Sequence, residues 1–304
     1  LLTYLIATFI QVISDYGLKN SAYQNISHWK PIVQGNLNSE VLIMGSSRGA
    51  VSYNPQVIQR ILNKKTQNIS FDAGAFNLQK IKLDTYLRTN KPPEIFIQNV
   101  DLAHFSTSDK IPDKAQFIPY NRSEFLITQL QEIDPEFKRW NFLPLLNYNG
   151  NFKYLILSLK SLMVENNASS QDAFLGVEKK FNIDSNNLQR LEKLSNSELA
   201  LKNYQPGFNS LSETLKKLPK STKIYLVWAP EHHYRLERAA EVRNAMIKKI
   251  QDLSLTFPNV YFLNYSDHPI ACTSTNFYDT FHLNYEGASR FSEILANNIK
   301  QNLK

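Results

Sequence analysis

One cysteine, Cys272, stands in 304 residues. A single thiol excludes a disulfide framework and any thiolate-only metal site. A chain this long can build a large core without bridges, so the lone thiol carries no information on compartment. Glycine (9) and proline (13) are sparse, while 42% of residues are apolar and 20% charged. That balance excludes a disordered, collagen-like or low-complexity chain. There is no Gly-x-Gly-x-x-Gly and no phosphate loop ending in Gly-Lys-Ser/Thr, so both nucleotide-binding signatures are missing. No uninterrupted run of about 20 apolar residues, the length of a membrane span, occurs either. Charge of one sign is only slightly in excess: 34 Lys and Arg against 27 Asp and Glu give +7. Such an excess tolerates anionic partners but is far from a nucleic-acid footprint.

What is present begins with an uncharged stretch, 1–13 (LLTYLIATFIQVI), with the first charges at Asp15 and Lys19. Three readings stand open: the trailing half of a signal-anchor helix, an uncleaved signal remnant, or an apolar helix packed on the domain. Residues 1–20 are therefore a candidate anchor or signal remnant, and 21–304 the folded domain. An anchor would place the rest of the chain outside a bacterial membrane, so the expected location is the cell envelope, extracytoplasmic or secreted, with association through the amino terminus. Oligomeric state is open.

Short apolar runs alternate with helical patterns. The pattern predicts strands at 40–45 (EVLIMG), 67–72 (QNISFD), 94–100 (EIFIQNV), 222–229 (TKIYLVWA) and 259–264 (NVYFLN). Between them, Asn54-Pro55 opens a helix carrying Val57, Ile58, Ile61 and Leu62, and further helices are expected near 77–89, 235–256 and 284–303. Alternation with continuously apolar strands argues for an α/β fold with a parallel sheet covered on both faces. Such sheets bind ligand at the carboxyl ends of their strands. Residues 106–206 break the alternation and read as a helical insertion after strand three, with periodic segments at 123–133 and 152–165. It is either a lid or partner surface, or a packing layer without chemistry.

Three features fall on the predicted ligand edge. Gly45-Ser46-Ser47-Arg48 follows strand one, where a small turn can expose a hydroxyl beside backbone N–H groups able to hold an oxyanion. Asp279-Thr280-Phe281-His282 precedes the last helix; a carboxylate three positions from an imidazole can fix its tautomer and leave the other nitrogen as a base. A second Asp-x-x-His, Asp101 to His104, also follows a strand, and only position separates the two. Gly74 sits in the turn after strand two, where an absent side chain lets the backbone approach a substrate oxygen.

Gly-x-Ser after strand one, Gly after strand two and Asp-x-x-His before the last helix together resemble the SGNH (GDSL-like) hydrolase family. The stretches 40–60 (EVLIMGSSRGAVSYNPQVIQR) and 276–295 (NFYDTFHLNYEGASRFSEIL) look like its bacterial envelope-associated members. The resemblance covers about 40–105 and 222–300. It implies a flavodoxin-like three-layer parallel sheet, with Ser47 as nucleophile, His282 as base and Asp279 as orienter. The N–H groups of Ser47 and Gly74 would serve the oxyanion. The family's third block, Gly-x-Asn-Asp, is replaced by Gln98-Asn99-Val100-Asp101, where Asn99 is the nearest candidate for a third oxyanion donor. Block one is Gly-Ser-Ser-Arg in place of Gly-Asp-Ser-Leu, which marks a divergent member.

Arg48 either pairs with an anionic group on the substrate or ties the turn to a carboxylate. His232 and His233, after strand four, are candidate pocket-lining, substrate-binding residues. With Glu231 they evoke a metal site, but adjacent histidines rarely share one ion and no further ligands are evident, so neither metal nor cofactor is expected. The function implied is an esterase, acyl hydrolase or O-acyltransferase working on a carboxylic ester through an acyl-enzyme, an O-acyl group of an envelope glycan being one such substrate. The competing expectation is a catalytically weak binding protein of envelope polysaccharide assembly that keeps the scaffold.

Overall fold

The computed structural model describes residues 1–21, 23–105, 110–163 and 204–303, with the isolated positions 186 and 189. In chain order the helices and strands are α1 (Leu2–Lys19), α2 (Gln24–Ser27), α3 (Trp29–Val33), β1 (Val41–Met44), α4 (Ser47–Ser52), α5 (Pro55–Leu62), β2 (Thr66–Asn68), α6 (Phe76–Thr89), β3 (Ile95–Asn99), α7 (Glu124–Ile133), α8 (Phe152–Met163), α9 (Gln205–Lys217), β4 (Lys223–Trp228), α10 (His233–Arg238), α11 (Ala240–Leu255), β5 (Val260–Asn264) and α12 (Tyr285–Asn302). Of the expected insertion 106–206, residues 106–109 and most of 164–203 lie outside the described residues.

The chain divides into two compact units. One comprises 38–80, 91–107 and 174–304, and the other 1–37, 81–90 and 108–173. The larger unit is α/β, with five parallel strands in the order β2-β1-β3-β4-β5. That is one of the two common orders of doubly wound sheets, whose ligand crevice lies where the order reverses, between β1 and β3.

The two strands at the centre of the sheet, β1 and β3, are buried along their whole length, whereas the edge strand β5 keeps exposed positions. Val41–Met44 and Ile95–Asn99 have no exposed position, as expected for strands covered on both faces. One face of the sheet carries Val41, Ile43, Ile95, Ile97, Tyr225 and Val227 against Ile58 and Leu62 of α5 and Phe291, Leu295 and Ile299 of α12. Asn54 starts α5 by accepting from the N–H groups of Gln56 and Val57, with Pro55 in the first turn. Its own backbone N–H donates to Ser292 Oγ at 2.7 Å, which pins α5 to α12.

Two boundaries differ from the sequence expectation. β2 ends at Asn68, although the backbone stays bonded to the β1 line through Ile69 N–H to Ile43 O (2.8 Å) and Phe71 N–H to Gly45 O (3.2 Å). The helix expected near 235–256 is two helices, interrupted at Ala239 with φ −103° and ψ 13°.

The smaller unit is helical. Its core gathers Ile26, Trp29, Ile32, Phe117, Leu126, Ile127, Leu130 and Phe137, with Trp29 Nε1 donating to Gln116 Oε1 at 2.9 Å. No described helix is long and apolar enough to cross a membrane.

Candidate active site

At the end of β1 the chain must turn sharply from strand to helix. A Cβ on Gly45 would lie 2.8 Å from both Asn99 Cβ and Gly49 Cα, so only glycine lets the turn sit this close to β3. Ser46 is the extended cap (φ −89°, ψ −150°) and Ser47 the first helical residue. From Val41 to Pro55 every residue is buried except Ser47. The local packing therefore leaves a single side chain open at the carboxyl edge of the sheet.

The loop before α12 supplies the partners. A bridge between Phe277 and Leu283, with Tyr278 N–H donating to His282 O at 3.2 Å, closes a short loop. Inside it Asp279 Oδ1 accepts from the N–H groups of Phe281 and His282, each at 2.7 Å. Asp279 Oδ2 lies 2.9 Å from His282 Nδ1, and His282 Nε2 lies 3.0 Å from Ser47 Oγ. Burial works against the Asp279 charge, but the bonds from the His282 ring and the two backbone N–H groups outweigh it and hold the carboxyl below its ordinary pKa. A carboxylate on Nδ1 favours the Nδ1–H tautomer, which leaves Nε2 free to accept from the Ser47 hydroxyl. The Tyr278 ring lies flat on the imidazole, 5.2 Å between centroids and 3° between planes. The hydroxyl, imidazole and carboxylate singled out in the sequence are thus brought into one chain of hydrogen bonds.

Gly74 follows Ala73, whose φ is +54°. A Cβ on Gly74 would meet the Phe71 ring at 2.8 Å. Its carbonyl accepts from Gln79 Nε2 at 2.5 Å, and Gln79 Oε1 in turn accepts from Gln98 Nε2 at 2.7 Å, so β3 fixes the turn. The Gly74 N–H donates to no acceptor among the described residues.

Three expected site residues are placed otherwise. Asn99 is fully buried; its Oδ1 accepts from the Tyr53 hydroxyl at 2.8 Å and its Nδ2 donates to Asp101 at 3.1 Å. Its amide is spent inside the fold and does not face an oxyanion. Arg48 is fully buried, with its guanidinium engaged inside the fold. It donates to Glu231 Oε1 (3.0 Å) and to the carbonyls of Ala229 (2.8 Å), Pro230 (3.0 Å) and Phe281 (3.2 Å), with Asp101 at 3.5 Å. Of its two sequence readings, the structural tie holds. His232 is also fully buried: Nδ1 accepts from Tyr234 N–H as the cap of α10, and Nε2 meets Ser274 Oγ at 2.9 Å. Burial, and then the neighbouring His233, push its pKa down to about 4. His233 keeps partial exposure and stacks on His232 at 4.4 Å.

Sequence reasoning missed the role of Glu231, first weighed as a metal ligand. Its carboxylate receives Arg48, Trp228 Nε1 (2.8 Å) and Arg235 Nε (2.6 Å). Both guanidinium groups lie over the Phe281 ring, at 5.0 and 4.2 Å. The residue after Ser47 and the residue before His282 are therefore clasped by one buried ion cluster. The spacing of Glu231 and Arg235, four residues apart at a helix start, was the available signal.

Comparison with known proteins adds little. No family model matches the sequence, and no curated protein matches it. Among solved structures, one described as "a putative platelet activating factor from Streptococcus pneumonia" aligns over 96% of this chain and 99% of its own at 12% identity, with a TM-score of 0.43.

Proposed function

We propose that this chain is a serine-dependent acyl hydrolase or O-acyltransferase of the SGNH (GDSL-like) type, acting on carboxylic esters. The observation that carries the reading is the unbroken series Ser47 Oγ–His282 Nε2 at 3.0 Å and His282 Nδ1–Asp279 Oδ2 at 2.9 Å, on the edge where a parallel sheet offers its ligand crevice.

The chemistry follows from those distances. Ser47 Oγ adds to the ester carbonyl carbon as His282 Nε2 takes the hydroxyl proton. Asp279 balances the imidazolium and holds the ring. The carbonyl oxygen becomes an oxyanion, for which the N–H groups of Ser47, at the first helical position, and Gly74 are the candidate donors. Collapse breaks the ester C–O bond, and His282 returns its proton to the departing alkoxide. Water or an acceptor hydroxyl then attacks the acyl-serine with the same base. Hydrolysis and transfer differ only in that acceptor, and an O-acylated envelope glycan fits either.

A second reading, a binding protein on the same scaffold, is favoured by one observation: the Asn99 amide is turned inward and supplies no third oxyanion donor. A fluorophosphonate probe separates the two. Labelling of the wild type that is lost in Ser47→Ala supports the enzyme. A folded wild type that takes no label sinks it.

A further inference from the structure

Helices α1 and α8 of the smaller unit are turned inside out. In α1 the buried positions are Gln11, Ser14, Asp15, Gly17 and Leu18. Leu5, Ile6, Phe9, Ile10, Val12 and Tyr16 are 43–66% exposed. In α8 the buried residues are Tyr154 and Ser158, whereas Phe152, Ile156, Leu159, Leu162 and Met163 face outward. Two of the inner polar groups are paired: Gln11 Oε1 accepts from Leu145 N–H at 2.7 Å, and Asp15 Oδ1 from the Tyr148 hydroxyl at 2.8 Å. The helices cross on small residues, so close that a Cβ on Gly17 would lie 2.5 Å from Ser158 O.

A helix bathed in water turns its polar stripe outward. Polar groups paired inside, small residues at the crossing and hydrocarbon outside is the arrangement that lipid selects. The loop before α8 adds Phe142 and Leu143, 71% and 60% exposed. Charge fits the same partner. Residues 1–14 carry none, and 137–163 carry Lys138, Arg139, Lys153 and Lys160, all exposed, with no Asp or Glu. Positive charge of one sign on these segments attracts anionic headgroups and repels a second copy of itself.

We propose that α1, α8 and the Phe142–Leu143 loop form a lipid-facing surface that seats this unit in one leaflet of an anionic phospholipid bilayer. The seat argued from these residues is interfacial: apolar side chains enter the acyl boundary, and the lysines reach back to the headgroups. The inference stands apart from the Ser47 chemistry.

Vesicle flotation of the full chain tests it, using phosphatidylcholine alone and phosphatidylcholine with phosphatidylglycerol. The wild type is expected to float with the anionic vesicles and to release partly at high salt. Phe9→Gln/Ile10→Gln/Phe152→Gln/Leu159→Gln changes exposed or nearly exposed positions and is expected to lose at least about tenfold in partitioning. Lys153→Glu/Lys160→Glu, which leaves the apolar surface whole, is expected to weaken flotation on the anionic vesicles only. A wild type that stays in the dense fractions with both vesicles overturns the proposal. So does a wild-type dimer in plain buffer that the fourfold variant converts to monomer, with no vesicle binding, since a second copy then covers the face.

Discussion

The Arg48 guanidinium donates its Nε–H to the Phe281 carbonyl at 3.2 Å. Arg48 follows Ser47 and Phe281 precedes His282, so one hydrogen bond spans the two chain segments, 233 residues apart, that must meet. The other guanidinium nitrogens are anchored on Glu231, Ala229 and Pro230 at the end of β4.

Removing that tie is expected to cost both stability and chemistry. In Arg48→Met, Glu231 keeps Arg235 and Trp228, and Asp101 loses the guanidinium at 3.5 Å. Breaking a buried ion cluster from one side costs about 3–5 kcal/mol. Arg48→Lys is expected to fail as well, because one ammonium cannot serve two carbonyls, a third carbonyl and a carboxylate in a plane. Urea unfolding together with the rate of fluorophosphonate labelling checks this; unchanged labelling in a destabilised Arg48→Lys would separate the tie from the chemistry.

Asp279→Asn probes the tautomer. The asparagine oxygen can still accept from Phe281 and His282 N–H, so the loop is expected to stay folded. Its NH₂ would then face His282 Nδ1, drive the ring proton to Nε2 and deprive Ser47 of its acceptor. The turnover or labelling rate is expected to fall by roughly three to four orders of magnitude, with little change in the unfolding midpoint at neutral pH. A loss under tenfold would contradict the assigned base.

His232 gives a pH signature. Its folded pKa of about 4 lies below the ordinary 6.5. Between those values His232 of the unfolded chain binds more protons, so this residue's contribution to stability rises with pH across roughly pH 4–6.5 and levels off above, while Asp15, raised to about 6 by burial, opposes it equally in wild type and variant. His232→Asn keeps a helix cap and removes the titration, so its urea midpoint is expected to vary less between pH 4.5 and 7.5. His28, pushed down to about 3 by burial and then by Lys82, preserves part of the slope in both proteins. Asp279 titrates below this window and does not contribute to it. Parallel slopes in wild type and variant would remove His232 from the account.

Gly45→Ala tests the close approach at the turn that carries Ser47. The added methyl meets Asn99 Cβ and Gly49 Cα, which belong to β3 and α4 and cannot move independently. Overpacking of this kind costs about 1–3 kcal/mol. Labelling of Ser47 is expected to slow even where the fold survives, as read by near-ultraviolet circular dichroism beside the labelling time course.

The sheet was legible because its central strands β1 and β3 are buried apolar runs and its helices open on recognisable caps such as Asn54-Pro55. Ser47, Asp279 and His282 were legible because each sits at a junction that a parallel sheet directs to one edge. Asn99 was not. A strand residue's facing depends on register, and here Tyr53 and Asp101 hold its amide inward. Of the Glu231 cluster only the Glu231–Arg235 spacing was legible; Arg48 joins it from α4, 183 residues away, which no local pattern connects. The break at Ala239 also escaped, since nothing in 235–256 interrupts the helical spacing.

That Ser47 alone stays open between Val41 and Pro55 means reactivity here is detachable from architecture. Every neighbour is committed to holding the molecule together, and the hydroxyl to none of that work except its bond to His282. A lineage carrying this fold is thus one codon from silence: exchanging that side chain would end the proposed acyl chemistry and leave the crevice, its loop and its ion cluster standing for some other use.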